Sequence, residues 1–243
     1  MMMPKKMFQK AMHFIMPSRC LVCANPLQSN YGLCQQCWAH FDFVNPPLCY
    51  SCGRPLDMEI EEVLKCPFCL NTNQPWRQQR HVFTYEKNSK SALLRFKHQD
   101  ALHLAKTFGP WLARVSYTFD FSHDYIVPVP LHWTRLFMRQ YNQSAVLGKE
   151  LAHIIKRPLL VDALIKNRAT PSQGSLSRLR RMQNVKDAFY VNKSHCLKLC
   201  GSSVLLIDDV FTTGSTVRMC TEALLSAGVS VVDVLTLSRV MKE

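Results

Sequence analysis

One stretch of the chain, residues 202–217, constrains the fold more than any other. It sets the apolar run VLLI, at 204–207, before two adjacent acids, and small hydroxylated residues then follow around Gly214. The run is too short for a helix and rich in strand formers, so it predicts a strand buried in a parallel sheet. Apolar residues at helical spacing continue until Gly228. The order therefore predicts a strand that ends at the two acids, then a turn, then a helix.

The turn between this strand and this helix has the composition of an anion-binding site. A helix N-terminus carries free backbone N–H groups and about half a positive charge, so hydroxyls and a glycine there form a plausible phosphate cradle. Asp208 and Asp209 on the same rim could accept hydrogen bonds from sugar hydroxyls or hold a hydrated divalent metal. The chain contains neither GxxxxGK[ST] nor GxGxxG, which argues against a P-loop ATPase or a dinucleotide site. The simpler alternative is that the acids only cap the helix.

Residues 207–216, IDDVFTTGST, resemble the phosphoribosyl pyrophosphate (PRPP) loop of type I phosphoribosyltransferases. That loop consists of an apolar strand, two acids and a T-T/S-G-x-T sequence. The resemblance implies that Asp208 and Asp209 contact the ribose hydroxyls of PRPP, and that Mg²⁺ binds the pyrophosphate and ribose oxygens. It also implies that the 5′-phosphate binds the residues of the turn, which are Thr212, Thr213, Gly214, Ser215 and Thr216.

Eight of the eleven cysteines form Cys-x-x-Cys pairs, all before residue 70. The four pairs are Cys20/Cys23, Cys34/Cys37, Cys49/Cys52 and Cys66/Cys69. Two such pairs complete one tetrahedral Cys₄ site, so four pairs predict two structural zinc ions. A disulfide framework would require an oxidising compartment, which nothing in the N-terminal sequence indicates. We expect sequential pairing, with the first two pairs at one ion and the last two at the other, although spacing alone leaves interleaved pairing open.

The formal net charge is +13, and cations concentrate in the C-terminal half. Residues 135–198 contain thirteen Lys or Arg, including the cluster Arg178, Arg180 and Arg181. A zone of this kind attracts polyanions, and both PRPP and single-stranded nucleic acid belong to that class. Between Cys20 and Cys69, by contrast, cations are few. We therefore interpret the cysteine-rich ribbons as metal-stapled structural modules rather than as DNA contacts.

Strands alternate with helices in the second part of the chain, which predicts a parallel α/β sheet with its ligand site at the carboxyl ends of the strands. We expect a helix over 89–113 with a break near Gly109 and Pro110, and a second helix over 142–155. The expected strands lie at 81–86, 125–127, 159–164, 187–191, 204–207 and 229–237.

The predicted organisation is a lead-in at 1–16, a double zinc ribbon at 17–76 and a phosphoribosyltransferase-like domain at 77–243. No segment of the sequence approaches the ~20 apolar residues that a membrane span requires. The N-terminal segment lacks the small-residue cleavage site of a signal peptide. We therefore expect a cytoplasmic protein without a transmembrane segment.

Several motifs closely resemble the ComF family of competence proteins. They are VPVPLH at 127–132, RQYNQ at 139–143 and NRATPSQ at 167–173, and the cysteine-rich N-terminal module matches as well. The resemblance implies an α/β type I phosphoribosyltransferase fold, a parallel sheet flanked by helices, with a small N-terminal Cys₄ zinc-ribbon module. It implies a role in DNA uptake during natural transformation. The implied partners are single-stranded DNA and competence-machinery proteins such as a helicase of the ComF operon.

Four arginines are the candidates for catalysis. Phosphoribosyl transfer breaks the bond between the sugar and pyrophosphate, and arginines together with Mg²⁺ stabilise the charge that builds on the leaving oxygens. Arg135 and Arg139 lie beside the VPVP loop, and Arg168 and Arg181 flank a segment with the composition of a lid. No residue identifies an attacking base or the acceptor. Two functions stay open, a PRPP-binding competence protein and an active phosphoribosyltransferase with no direct DNA role.

Overall fold

The computed structural model describes residues 19–27, 32–56, 64–98, 102–131, 141–166 and 188–241. Two short helices lie in the cysteine-rich part, α1 (Gln35–Ala39) and α2 (Pro67–Asn71). The strands are β1 (Gln79–Thr84), β2 (Tyr125–Pro128), β3 (Leu164–Lys166), β4 (Phe189–Val191), β5 (Ser203–Phe211) and β6 (Val231–Arg239). The other helices are α3 (Lys87–His98), α4 (Ala105–Ser116), α5 (Gln143–Ile155), α6 (Cys196–Leu199) and α7 (Ser215–Ser226).

Four strands form a parallel sheet in the order β1-β6-β5-β2, and β3 pairs with β4 as a separate antiparallel hairpin. The predicted parallel sheet flanked by helices is therefore confirmed. Two details of the predicted strands are wrong. The strand expected at 159–164 is reduced to an isolated bridge between Leu159 and Ile126, and β3 begins only at Leu164. The two acids also do not end the strand that contains them. Strand β5 continues through Asp208 and Asp209 to Phe211, since Val210 and Phe211 still pair with β6. The acids are thus held by sheet pairing and not by a flexible turn.

The two faces of the sheet bury different helices. Because side chains alternate along a strand, Leu205 and Ile207 of β5 pack with α4 and α5 on one face. Val204 and Leu206 pack on the other face, with α7 and the β3–β4 hairpin. The central strands are buried on both sides, which explains their unbroken apolar sequence.

The predicted helix over 89–113 is two helices, and its break lies elsewhere than expected. Helix α3 ends at His98, and α4 begins at Ala105 and continues through Pro110. Gly109 explains this, because a Cβ there would lie 2.9 Å from the Glu150 Cβ of α5. The close approach of the two helices favours a continuous α4 despite the backbone hydrogen bond that proline removes. Among the described residues, no helix combines the length and apolarity needed to cross a membrane.

The cysteine-rich segment covers the outer edge of the sheet. Phe43 forms an antiparallel bridge with Phe83 of β1, and the Val44 N–H donates to the Val82 carbonyl at 3.0 Å. Further along the same strand, the Gln79 N–H donates to the Ser51 carbonyl at 2.8 Å. An uncovered edge strand presents unpaired backbone groups that invite aggregation. The ribbons satisfy these groups and are therefore an integral part of the fold.

Candidate functional site

The junction of β5 and α7 is built around a glycine that no other residue can replace without strain. Gly214 caps α7 with φ of 76°, a left-handed conformation. A Cβ at this position would lie 2.5 Å from the Phe211 ring. The turn leaves Thr212, Thr213 and Ser215 exposed beside the first N–H groups of α7, which have no partners within the helix. The geometry therefore presents hydroxyls and backbone donors together, as the sequence predicted.

Asp208 is held by neighbouring donors at the carboxyl end of the sheet. The Ser144 hydroxyl donates to Asp208 Oδ1 at 2.9 Å, and the Asp209 N–H donates to the same oxygen at 2.9 Å. Burial, followed by the nearby Asp209 carboxylate, raises the pKa of Asp208 to about 7, and the hydrogen bond from Ser144 opposes this shift.

Asp209 faces a different partner. The Nζ of Lys97, in the last turn of α3, lies 2.8 Å from Asp209 Oδ2, and both side chains are largely buried. The two adjacent acids consequently differ, since one is hydrogen-bonded by a neutral hydroxyl and the other is paired with a cation. Sequence reasoning missed both Ser144 and Lys97. Ser144 could have been found as the first turn of the helix after the VPVP loop, whereas no local signal identifies Lys97.

The VPVP loop is tied to the same edge of the sheet. The Val129 N–H donates to the Ile207 carbonyl at 2.9 Å, and the Asn142 side-chain amide donates to the Val129 carbonyl at 3.0 Å. Asn142 also caps α5 by accepting from the Ser144 N–H at 3.0 Å. Asn142, from the RQYNQ motif, therefore fixes the VPVP loop and the start of α5. Ser144, the hydrogen-bond partner of Asp208, lies in that first turn of α5. The candidate catalytic residues Arg135, Arg139, Arg168 and Arg181 lie outside the described residues and remain predictions.

The eight paired cysteines lie in two clusters, and the expected sequential pairing is confirmed. One cluster is Cys20, Cys23, Cys34 and Cys37, and the other is Cys49, Cys52, Cys66 and Cys69, with all Sγ atoms of a cluster within 4.8 Å of one another. Zn–S bonds of about 2.3 Å place tetrahedral sulfurs about 3.8 Å apart. The Cys23–Cys34 and Cys52–Cys66 sulfurs are each 3.7 Å apart. Both clusters therefore fit a tetrahedral zinc ion in donor type and in spacing.

Backbone donors support the thiolate form in each cluster. The Cys34 N–H donates to Cys20 Sγ at 3.3 Å, and the Cys66 N–H donates to Cys49 Sγ at 3.2 Å. Thiolates are the form that binds zinc. Cys220, away from both clusters, is fully buried in the core.

Comparison with known proteins decides the family. A double zinc ribbon family model matches residues 11–72. The DNA utilization protein YhgH of Escherichia coli is 30% identical over 241 residues, covering 93% of this chain and 98% of that protein. Competence protein F of Haemophilus influenzae is 29% identical over 227 residues, covering 91% of this chain and 96% of that protein. The chain belongs to the ComF family.

Another ComF-family relative is competence protein ComFC of Bacillus subtilis, 25% identical over 209 residues, covering 83% of this chain and 81% of that protein. Among solved structures, glutamine PRPP amidotransferase from Bacillus subtilis has a TM-score of 0.39 at 23% identity. That match covers 54% of this chain, which spans 25% of the length of that enzyme. Adenine phosphoribosyltransferase from Leishmania donovani has a TM-score of 0.36 at 13% identity, covering 58% of this chain and 66% of that one.

Proposed function

We propose that this ComF-family protein binds PRPP at the β5–α7 junction and acts in DNA uptake. The observation that carries the proposal is the juxtaposition of two held carboxylates with a glycine-capped helix N-terminus and exposed hydroxyls. Such a helix terminus stabilises a phosphate through its backbone N–H groups and its partial positive charge. Carboxylates beside it would repel a phosphate and accept from hydroxyls, so the arrangement favours a sugar phosphate oriented in one direction.

Each part of PRPP has a matching group. The 5′-phosphate binds the turn that contains Thr212, Thr213 and Gly214, and the first residues of α7, Ser215 and Thr216, add hydroxyls and backbone donors. Asp208 and Asp209 accept hydrogen bonds from the ribose hydroxyls. Carboxylate oxygens are also ligands that suit Mg²⁺, which when bound would neutralise charge on the pyrophosphate. Arg135, Arg139, Arg168 and Arg181 are proposed to contact the pyrophosphate, as the sequence predicts.

Two zinc ions are proposed for the cysteine clusters, with a structural role. Each cluster supplies four sulfurs at tetrahedral spacing, so no position stays open for a catalytic water. The second cluster packs against one partly buried apolar residue, Leu56, so a metal is the natural source of its stability.

The DNA role rests on relatives and on charge. Relatives named for competence and for DNA utilization span more than four-fifths of the chain. The net charge of +13 favours association with a polyanion, and we propose single-stranded DNA, contacted through Arg178, Arg180 and Arg181. These arginines lie outside the described residues. Competence-machinery proteins, such as a helicase of the ComF operon, are proposed as partners, and the cytoplasm as the location.

A second candidate is an active Mg²⁺-dependent phosphoribosyltransferase that transfers to a base or another small molecule without touching DNA. The adjacent acids Asp208 and Asp209, beside the hydroxyl-rich turn at 212–216, favour this enzyme function. A protein that only bound DNA would not require these acids. Release of pyrophosphate from PRPP in the presence of a panel of acceptors separates the two functions.

Calorimetric titration of Mg²⁺–PRPP into the zinc-loaded protein tests the site. Asp208→Ala combined with Asp209→Ala removes the acceptors for the ribose hydroxyls. Hydrogen bonds to charged groups contribute about 1.5–3 kcal/mol each, so affinity should fall by at least about tenfold. Asp162→Ala is the matched control, since its exposed carboxylate contacts only the side chains of His195 and Asn192 among the described contacts. Equal affinity in the double variant and the wild type would reject the site.

A further inference from the structure

An aromatic cleft lies between the cysteine-rich segment and helix α4. It has a volume of about 380 Å³, within the range of small-molecule sites of roughly 300–1,000 Å³. Its lining residues include Trp38 and Phe43 from the cysteine-rich segment, His81 from β1, and Trp111 and Arg114 from α4. No residue of the β5–α7 junction is among its described lining residues. The cleft is therefore separate from the proposed PRPP site.

Three aromatic rings form the walls of this cleft. The Phe43 ring packs edge-on against Trp111, with 5.1 Å between ring centroids, and is tilted against Trp38 at 4.7 Å. The Trp38 and Trp111 centroids are 6.1 Å apart, again in an edge-to-face arrangement. Although the rings pack together, Trp38 is still 49% exposed. Exposed aromatic surface that borders a cleft favours a ligand with an apolar, ring-shaped body.

His81 is a buried polar group that lines the same cleft. It is 2% exposed, and neither ring nitrogen has a hydrogen-bond partner among the described residues. Burial, followed by the nearby positive charges of Arg239 and Arg80, lowers the pKa of His81 to about 3, so the ring is neutral at physiological pH. A neutral imidazole has one N–H donor and one nitrogen acceptor, and leaving both unsatisfied destabilises a fold. A ligand hydroxyl, which both donates and accepts, would partner either nitrogen.

Arg114 gives the cleft a positive charge. Its side chain is exposed on α4, and the described lining residues of the cleft include no carboxylate. A ligand carboxylate would therefore meet a cation and no charge of its own sign. Hydrogen bonds between a guanidinium and a carboxylate are among the strong ones in proteins, so the charge favours an anionic ligand.

We propose that this cleft binds a small aromatic carboxylate that carries a hydroxyl group. The ring of the ligand packs among Trp38, Phe43 and Trp111. The carboxylate pairs with Arg114, and the hydroxyl bonds to a ring nitrogen of His81. Because the walls come from both the cysteine-rich segment and the α/β domain, a bound ligand stabilises the attachment of one to the other.

Calorimetric titration of the zinc-loaded full chain with para-hydroxyphenylacetate tests the site. Two matched probes are phenylacetate, which lacks the hydroxyl, and para-hydroxyphenylacetamide, which lacks the charge. We expect para-hydroxyphenylacetate to bind about fivefold more tightly than phenylacetate and at least about tenfold more tightly than the amide, because a neutral hydrogen bond contributes less than a charged one. Its binding should also raise the thermal midpoint of the wild type.

Substitutions assign each preference to one side chain. Arg114→Gln, at an exposed position where folding should be unaffected, should remove the preference for the carboxylate over the amide. His81→Leu removes nitrogens without protein partners among the described residues, and should remove the preference for the hydroxylated probe over phenylacetate. Lys106→Gln makes the same charge change on α4 at a residue that does not line the cleft, and should keep both preferences.

The proposal is overturned if para-hydroxyphenylacetate does not bind, if the wild type binds phenylacetate as tightly, or if Arg114→Gln keeps the preference for the carboxylate. A His81→Leu protein that keeps the preference for the hydroxyl would overturn it as well. If that variant fails to fold, the wild-type preference between the probes and the Arg114→Gln titration decide. Displacement of the bound probe by oligothymidylate would also contradict the proposal, by assigning the cleft to nucleic acid.

Discussion

The two cysteine clusters share one ligand spacing but differ in their surroundings. All four cysteines of the second cluster are buried, whereas in the first cluster only Cys20 is buried and Cys23 is exposed. The first ribbon, here residues 19–44, attaches through aromatic packing, with Phe41 against Phe83 at 4.9 Å and against Trp111 at 5.7 Å. The second ribbon, residues 45–76, attaches largely through polar contacts.

Those polar contacts form a connected network. The Tyr50 hydroxyl donates to Asp120 at 2.6 Å, and Arg80 donates to the Tyr50 carbonyl at 2.8 Å. Arg77 pairs with both Asp120 and the buried Asp233 of β6. The same Cys-x-x-Cys motif therefore supports two different kinds of attachment to the sheet. The first ribbon covers the sheet edge with apolar surface, and the second is joined to β1 by hydrogen bonds to the Ser51 and Tyr50 carbonyls.

Replacing one cysteine in each cluster should produce the largest effect and separate the ribbons most clearly. We expect Cys52→Ser to lose one zinc equivalent and most of the cooperative unfolding transition, since structural zinc contributes about 10–16 kcal/mol in small domains. Cys23→Ser should also lose one equivalent but lower the thermal midpoint less, because the aromatic contacts remain. Elemental analysis and calorimetric melting provide the measurements. Equal losses of stability would show that burial does not distinguish the clusters.

Breaking the buried part of the polar network should destabilise the protein by about 3–5 kcal/mol, the cost of removing one partner of a buried ion pair. Asp233→Asn makes this change, and Asp120→Asn, at a carboxylate 47% exposed, is the control with an effect below about 1 kcal/mol. Urea unfolding of both variants measures the difference. If the exposed and buried substitutions cost the same, burial of the Arg77–Asp233 pair does not strengthen the network.

The same network predicts acid sensitivity. Burial alone would raise the pKa of Asp233, but hydrogen bonds from His123 and Arg77 outweigh it and hold that pKa below its usual value. The folded state therefore binds this proton more weakly than the unfolded state, so the contribution is present above about pH 4 and is lost as pH falls further. Urea unfolding between pH 6 and pH 3 should show the free energy of unfolding of the wild type falling more steeply than that of Asp233→Asn. Parallel curves would contradict the assignment.

Truncating a ribbon aromatic should have a smaller effect that depends on the ribbon. Phe41→Ala in the first ribbon empties a buried site in the aromatic cluster and should cost about 3 kcal/mol. Phe68→Ala in the second ribbon removes an exposed ring and should change stability by less than about 1 kcal/mol. The pair is matched in chemistry, and chemical denaturation measures both. A larger loss at Phe68 would reverse the proposed division between the ribbons.

Chelation should give the smallest difference between the two clusters, a difference in the rate at which they lose zinc. We expect an excess of chelator to remove zinc in two phases, with the ion of the exposed first cluster leaving before that of the buried second cluster. A chromogenic chelator follows both phases, and Cys23→Ser protein should lack the fast one. A single phase in the wild type would show that the burial of the second cluster does not protect its ion.

The parts of the fold that local sequence determines were predictable. The Cys-x-x-Cys spacing and short intervals favoured the sequential pairing that the structure has, although they left interleaved pairing open, and the IDDVFTTGST stretch predicted the strand, turn and helix. The end of β5 was misplaced because pairing of Val210 and Phe211 with β6 depends on a distant strand. The helix break near Pro110 was misplaced for a similar reason, since packing of Gly109 on α5 outweighs the local preference of proline.

The partners within the site were the least predictable. Lys97 reaches Asp209 from a helix more than a hundred residues earlier, and no spacing rule connects them. Gln79 and Trp76 carry no motif, and only the structure shows that their polar side-chain atoms are buried without partners among the described residues. Contacts of this kind depend on tertiary packing, which the sequence specifies only through the completed fold.

A crystal structure of the zinc-loaded protein with Mg²⁺ and PRPP tests the central claim most directly, that the carboxyl edge of the sheet is the ligand-binding edge. We predict the 5′-phosphate within hydrogen-bond distance of the backbone N–H groups of residues 213–216, and the ribose hydroxyls on Asp208 and Asp209. PRPP bound elsewhere, with this turn and these carboxylates making no contact to it, would contradict the account.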